Sequence, residues 1–203
     1  MAAGPSARVL GLDPGLVAFG YGVLEGTRAG AAVLGAGVIQ TSARLRLEER
    51  VQHIYDAVAA LLDRHAPAAV ALEDLYAEYR FPRTALLMAH ARGVVCLAAQ
   101  QRAVRVLAIA PAEVKRVVTG NGAAGKEQVG RGVQRLLGLG QPPRPSHVAD
   151  ALALAFIGMS RLRIGGGETP RVRIRGGQAP PPIPPRFTRG FTEGAVAPAS
   201  DTR

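Results

Sequence analysis

Ala68-Ala-Val-Ala-Leu-Glu73 is a run in which five consecutive side chains are apolar, so neither face alternates with polar residues. A strand with one wet face alternates with period two, whereas a strand covered on both faces does not. The run therefore predicts a buried parallel strand with helices on both sides of its sheet. Before it, Leu47, Val51, Ile54, Tyr55, Val58, Leu61 and Leu62 recur with helical period. After it come a second long helix over about Thr84 to Gln101 and a last strand over Val104 to Ala110. Pro111 then suits the first position of a helix, where its missing amide proton is not needed.

The same reading extends to both ends. Val9 to Asp13 is a short apolar run stopped by Asp-Pro-Gly, and Phe19 to Glu25 and Ala31 to Thr41 follow with glycines and β-branched residues. Together they suggest a three-stranded meander. Two more helices are predicted, around Lys126 to Leu137 and Ser146 to Leu162. The order βββαβαβααα implies an α/β fold, a mixed sheet flanked by helices.

A chain of 203 residues can bury one ordinary core, and one domain is expected over residues 1–162. Its formal charge of +10, from 25 Lys and Arg against 15 Asp and Glu, makes nucleic acid the leading partner class. No stretch approaches the apolar length that spans a bilayer, so a membrane is not expected as partner. Met1 to Arg8 lacks the apolar core of a secretory signal, and a single cysteine, Cys96, allows no intrachain disulfide; a reducing cytoplasm fits. From Arg161 onward lie 7 of the 15 prolines and eight arginines against three acidic residues, which is half of the net charge. Residues 163–203 are expected to form a disordered tail.

Four residues able to bind divalent metal lie where these segments end. Asp13 closes the first strand on the face of Val9 and Gly11, opposite Leu10 and Leu12. Glu73 closes the parallel strand at its carboxyl end, where α/β sheets place ligands. Ser146 can cap a helix with an apolar stripe of Val148, Leu152, Ala155, Phe156, Met159 and Leu162, and His147 and Asp150 share another face of its first turns. Each has a bland reading alone: Asp-Pro-Gly starts turns, a charge solvates a strand end, and Asp near a helix start complements the dipole.

Taken together, Gly11-Leu-Asp-Pro-Gly15 with Gly20-Tyr-Gly22, Ala71-Leu-Glu-Asp-Leu75, Ala91-Arg-Gly93, Lys126-Glu-Gln-Val129 and His147-Val-Ala-Asp-Ala-Leu-Ala153 closely resemble the RuvC family of Holliday junction resolvases. The resemblance runs from about Val9 to Leu162 and implies an RNase H-like fold with a mixed five-stranded sheet, a homodimer, four-way junction DNA as substrate, and RuvA and RuvB as partners. It also implies divalent metal, Mg²⁺ or Mn²⁺, held by Asp13, Glu73, His147 and Asp150. Two metals about 4 Å apart suit phosphodiester hydrolysis. Asp13 would bridge them, with Glu73 on one and His147 and Asp150 on the other. Many family members carry Asp where this chain has His147, and imidazole favours Mn²⁺ relative to an all-oxygen site.

By the same resemblance Lys115 and Lys126 contact the cleaved backbone, and Tyr76 stacks on bases at the opened crossover. Arg80 and Arg83 enrich that loop as DNA-binding candidates. The helix around Leu86 to Ala99 is apolar on more than one face, as expected if it packs against both the sheet and a second subunit. Two rival classes are a phosphate-binding loop at Gly120 to Lys126, which lacks the required Ser or Thr at Glu127, and a junction-binding module that does not cut.

Overall fold

The computed structural model describes residues 7–27, 30–74 and 82–164. Its elements are β1 (Arg8–Asp13), β2 (Ala18–Thr27), β3 (Gly30–Gln40), α1 (Leu47–His65), β4 (Ala69–Glu73), α2 (Pro82–Gln101), β5 (Arg105–Ile109), α3 (Pro111–Thr119), α4 (Lys126–Leu137) and α5 (Ser146–Ile164). The order is the one the sequence predicts. The strands form one mixed sheet in the order β3-β2-β1-β4-β5. β1, β2 and β3 pair antiparallel, and β4 lies parallel to both β1 and β5. Ala69, Val70, Ala71 and Leu72 are fully buried, so β4 has a core on each side and no reason to alternate.

One core lies under α1 and α2, where Leu10, Leu12, Phe19, Val23, Val70 and Leu72 meet Ile54, Val58, Leu62 and Val95. The other lies under α3, α4 and α5 and takes Val9, Leu24, Ala71 and Ile109 from the sheet. Alternation along β1 therefore sorts Val9 and Leu10 to opposite cores, as expected. Among the described residues no helix is long and apolar enough to cross a membrane.

α5 departs from expectation. In place of one apolar stripe it is buried around nearly its whole circumference, with Ala149, Ala151, Ala153, Leu154 and Ile157 at most 3% exposed. A helix that packs on a sheet with one side and on other helices with the rest needs apolar residues all round. Ser146, expected as the cap, is itself the first residue of α5, and the Pro145 carbonyl accepts the amide proton of Val148.

Close approach of α5 depends on glycines in the sheet beneath it. A Cβ on Gly11 would lie 2.0 Å from the Ala151 carbonyl oxygen, and one on Gly20 would lie 2.1 Å from that of His147. Any side chain there would lift the helix. Tyr76 and Arg80 lie outside the described residues; Arg83 lies on α2, but its side chain lies outside them. The expected tail also lies outside them, from residue 165 onward.

Candidate active site

The sheet register carries two carboxylates to one edge. β1 and β4 run parallel with Leu12 opposite Leu72, so the next residues, Asp13 and Glu73, leave the sheet side by side. On the other flank Asp13 pairs with Gly20 of β2, the glycine against which the start of α5 rests. That contact brings His147 over Asp13, and its Nδ1–H donates to Asp13 Oδ2 at 2.7 Å across 134 residues of chain. Only this polarity is possible with a carboxylate acceptor, and it leaves His147 Nε2 and Asp13 Oδ1 as the remaining donor atoms of the pair. Asp13 is 8% exposed and is the only buried polar or charged residue among those described.

The charge of Asp13 acts on Glu73, His147 and Asp150 alike. Burial, then the charges of Asp13 and Asp150, push Glu73 from an ordinary 4.5 up to about 7, while Lys115 and Arg92 pull it back. Burial and Asp13 push Asp150 up to about 6, opposed by Lys126, His147 and Lys115. The hydrogen bond to Asp13 raises His147, with burial acting against it and the Asp13 and Asp150 charges adding to the rise. Both lysines singled out in the sequence, Lys115 on α3 and Lys126 at the start of α4, thus lie within electrostatic range of these acids.

Among the described residues no three His, Cys, Asp or Glu side chains are set together as a metal-holding group. Glu73 and Asp150 are raised first by burial and then by repulsion from the charge of Asp13, which favours their protonated forms. Oxygen donors with one imidazole, crowded at the cost of raised pKa values, are a donor set that a hard divalent cation fits, because its charge would relieve that repulsion. The imidazole is also oriented for it, since a ligating histidine commonly donates its other ring N–H to a carboxylate.

Arg92 is a residue to which the sequence assigned no role. From α2 its guanidinium donates to the Glu73 backbone carbonyl and pairs with Asp74 at 3.2 Å, with its side chain 19% exposed. It therefore fixes the chain where β4 ends and Glu73 is presented. The available signal was a charged residue in the middle of an apolar helical run, in Ala91-Arg-Gly93.

The turn at residues 120–125 follows a helix, α3, where a phosphate-binding loop would need a strand. Its shape comes from local bonds: the Asn121 amide donates to Thr119 Oγ1, and the Ala123 amide to Asn121 Oδ1. Gly120 ends α3 at a φ of 77°, a left-handed conformation that glycine adopts without strain.

A family model described as "Crossover junction endodeoxyribonuclease RuvC" matches residues 9–158. The chain is 46% identical over 150 residues to the crossover junction endodeoxyribonuclease RuvC of Leifsonia xyli subsp. xyli, covering 73% of this chain and 72% of that one. It is 41% identical over 155 residues to that of Rhodopirellula baltica, covering 76% and 87%. Its structure is similar to that of T. thermophilus RuvC in complex with Holliday junction substrate, at a TM-score of 0.72 and 39% identity over 78% of this chain and 96% of the other. The mixed five-stranded sheet flanked by helices is the RNase H-like fold.

Proposed function

The chain belongs to the RuvC family of crossover junction endodeoxyribonucleases, and we propose that it resolves four-way DNA junctions by paired symmetric nicks in strands of like polarity. The ends it leaves would be 5′-phosphate and 3′-hydroxyl, which ligase can seal. The observation that carries this reading is the meeting of Asp13 and His147 at 2.7 Å, with Glu73 and Asp150 both raised by the charge of Asp13.

Asp13, Glu73, Asp150 and the Nε2 of His147 would hold two divalent cations, with Mn²⁺ favoured over Mg²⁺ by the imidazole. When bound, such cations supply positive charge for the leaving oxygen and lower the pKa of water. The chain's own groups do the rest. Asp13 fixes the imidazole by accepting its Nδ1 proton, and Arg92 holds the backbone that presents Glu73. Lys115 and Lys126 bring cationic charge to the phosphates flanking the cut, and Tyr76, Arg80 and Arg83 engage the opened crossover. A homodimer places two such sites on a substrate with two equivalent strands, and RuvA and RuvB are its proposed partners.

The test is a synthetic mobile four-way junction incubated with the protein and Mn²⁺ or Mg²⁺, scored for paired nicks that ligase seals. Wild type is expected to give them, and Asp13→Asn to lose cleavage while still binding the junction. Full nicking by Asp13→Asn would place the chemistry elsewhere.

A further inference from the structure

A groove of about 600 Å³ separates the start of α4 from residues 142–145, which lead into α5. Lys126, Glu127, Arg131, Pro142, Arg144 and Pro145 help line it, and of these the active site accounts for Lys126 alone. Lys126, whose charge acts on Asp150, lines it, so the groove reaches the edge of the candidate active site through that lysine. Three cations face a single carboxylate there, and that carboxylate is taken up by Arg131 at 2.6 Å. Arg144 is exposed and has no ion-pair partner among the described residues.

Beyond Arg131 the positive surface continues. A smaller cavity of about 230 Å³ on α4 is lined by Arg131, Arg135, Gln128, Asn121 and Thr119, so Arg131 is common to both. The lining of either cavity includes no aromatic side chain on which a base could stack. Cations and amides without aromatics contact the sugar-phosphate backbone and leave the bases unread. The prolines at 142, 143 and 145 restrict the backbone of one wall, so little freedom remains to be given up on binding.

Resting on the junction-resolving reading above, we propose that this groove carries the backbone phosphates of one duplex arm away from the active site, from Lys126 past Arg131 and Arg144. Its occupant is DNA backbone recognised by charge, with no sequence preference. The track would hold the arm in line while the crossover is presented to Asp13 and Glu73.

The test measures junction affinity of the full chain in EDTA across a salt series, for wild type, Arg144→Glu, Arg144→Lys and the pair Arg131→Ala with Arg144→Ala. Each phosphate that a variant no longer neutralises should reduce the slope of log affinity against log salt by about 0.9. Arg144→Glu and the double variant should therefore bind roughly tenfold or more weakly near 0.1 M salt with a shallower slope. Arg144→Lys should restore most of both. Shortening the junction arms to a few base pairs should erase the difference from wild type, because the track holds the arm and not the crossover. Arg64→Ala, at an exposed position of α1 on the opposite face of the sheet, serves as the control.

An unchanged slope in Arg144→Glu, or an equal weakening in Arg64→Ala, would overturn the proposal. A wild-type protein that cuts junctions while these variants keep its slope removes the track alone. A wild-type protein that never cuts them removes the reading on which it rests.

Discussion

Glu73 shows how much the candidate site costs the fold. A carboxyl raised from 4.5 to about 7 is stabler protonated than ionised in the folded chain, so its contribution to stability is full below pH 4.5 and is lost as pH rises through 7. Replacing it with neutral glutamine removes that penalty. In EDTA, Glu73→Gln should be stabler than wild type at pH 8 by roughly 1–3 kcal/mol, after discounting for partial exposure, and most of the difference should vanish by pH 5. Urea unfolding at the two pH values measures it; equal stabilities at pH 8 would mean that Glu73 is not crowded by its neighbours. Arg92 acts on the same carboxylate from behind. Arg92→Ala leaves the Glu73 carbonyl without its donor and Asp74 without this cation, at a stability cost of about 1–3 kcal/mol. Because the end of β4 is then free to shift, turnover of saturating junction should fall about tenfold or more, as expected for small misplacements of reacting groups. A loss of stability with full turnover would make Arg92 structural only.

α5 reaches Asp13 because β1 and β2 carry glycine where the helix lands. Gly20→Ala would put a Cβ 2.1 Å from the His147 carbonyl oxygen and 3.0 Å from its Cβ, and the start of α5 must move. Overpacking of this kind costs about 1–3 kcal/mol, and cleavage should fall further than stability alone explains because His147 moves with the helix. Gly35→Ala on the edge strand β3, where a Cβ meets nothing within 4 Å, should do neither. Comparing unfolding midpoints and nicking rates of the two variants measures the difference; equal nicking rates would contradict it. These packing relations also explain what the chain discloses unaided. β4 is legible from Ala68 to Glu73 because burial on both faces abolishes alternation, and the ends of β1 and β4 follow from charged residues that stop apolar runs. α5 is legible as a helix, but its burial all round is not, because alanines at 149, 151 and 153 add little to an apolar stripe while being at most 2% exposed, and the Ala151 carbonyl packs down onto Gly11 of β1. The Asp13–His147 contact joins residues 134 apart and is set by a glycine on a third element, so no local pattern contains it. Arg92 was visible as an oddity in α2, but its partner is the backbone of Glu73, which no side-chain pattern reveals.

The molecule as a whole concentrates cations around a group of acids. Lys115, Lys126 and Arg92 each lower the pKa of Glu73, Asp150 or His147, and Arg131 on α4 and Arg144 before α5 add further positive charge to the same side. Acids flanked by cations suit an enzyme whose substrate and cofactor carry opposite charges, since phosphates would meet the cations and divalent metal the acids. Membership of the RuvC family fits that arrangement, and exposed Leu86, Leu87 and Leu97 on α2 are where a second copy would pack in the proposed dimer. If folding gathers Asp13, Glu73, His147 and Asp150 into one place, that place should bind divalent cations. Titration of the full chain with Mn²⁺ at pH 8, following free Mn²⁺ by electron paramagnetic resonance, tests it without DNA or turnover. Two Mn²⁺ should be taken up per wild-type chain, with marked weakening in both Asp13→Asn and Asp150→Asn. Uptake unchanged in both variants would contradict it.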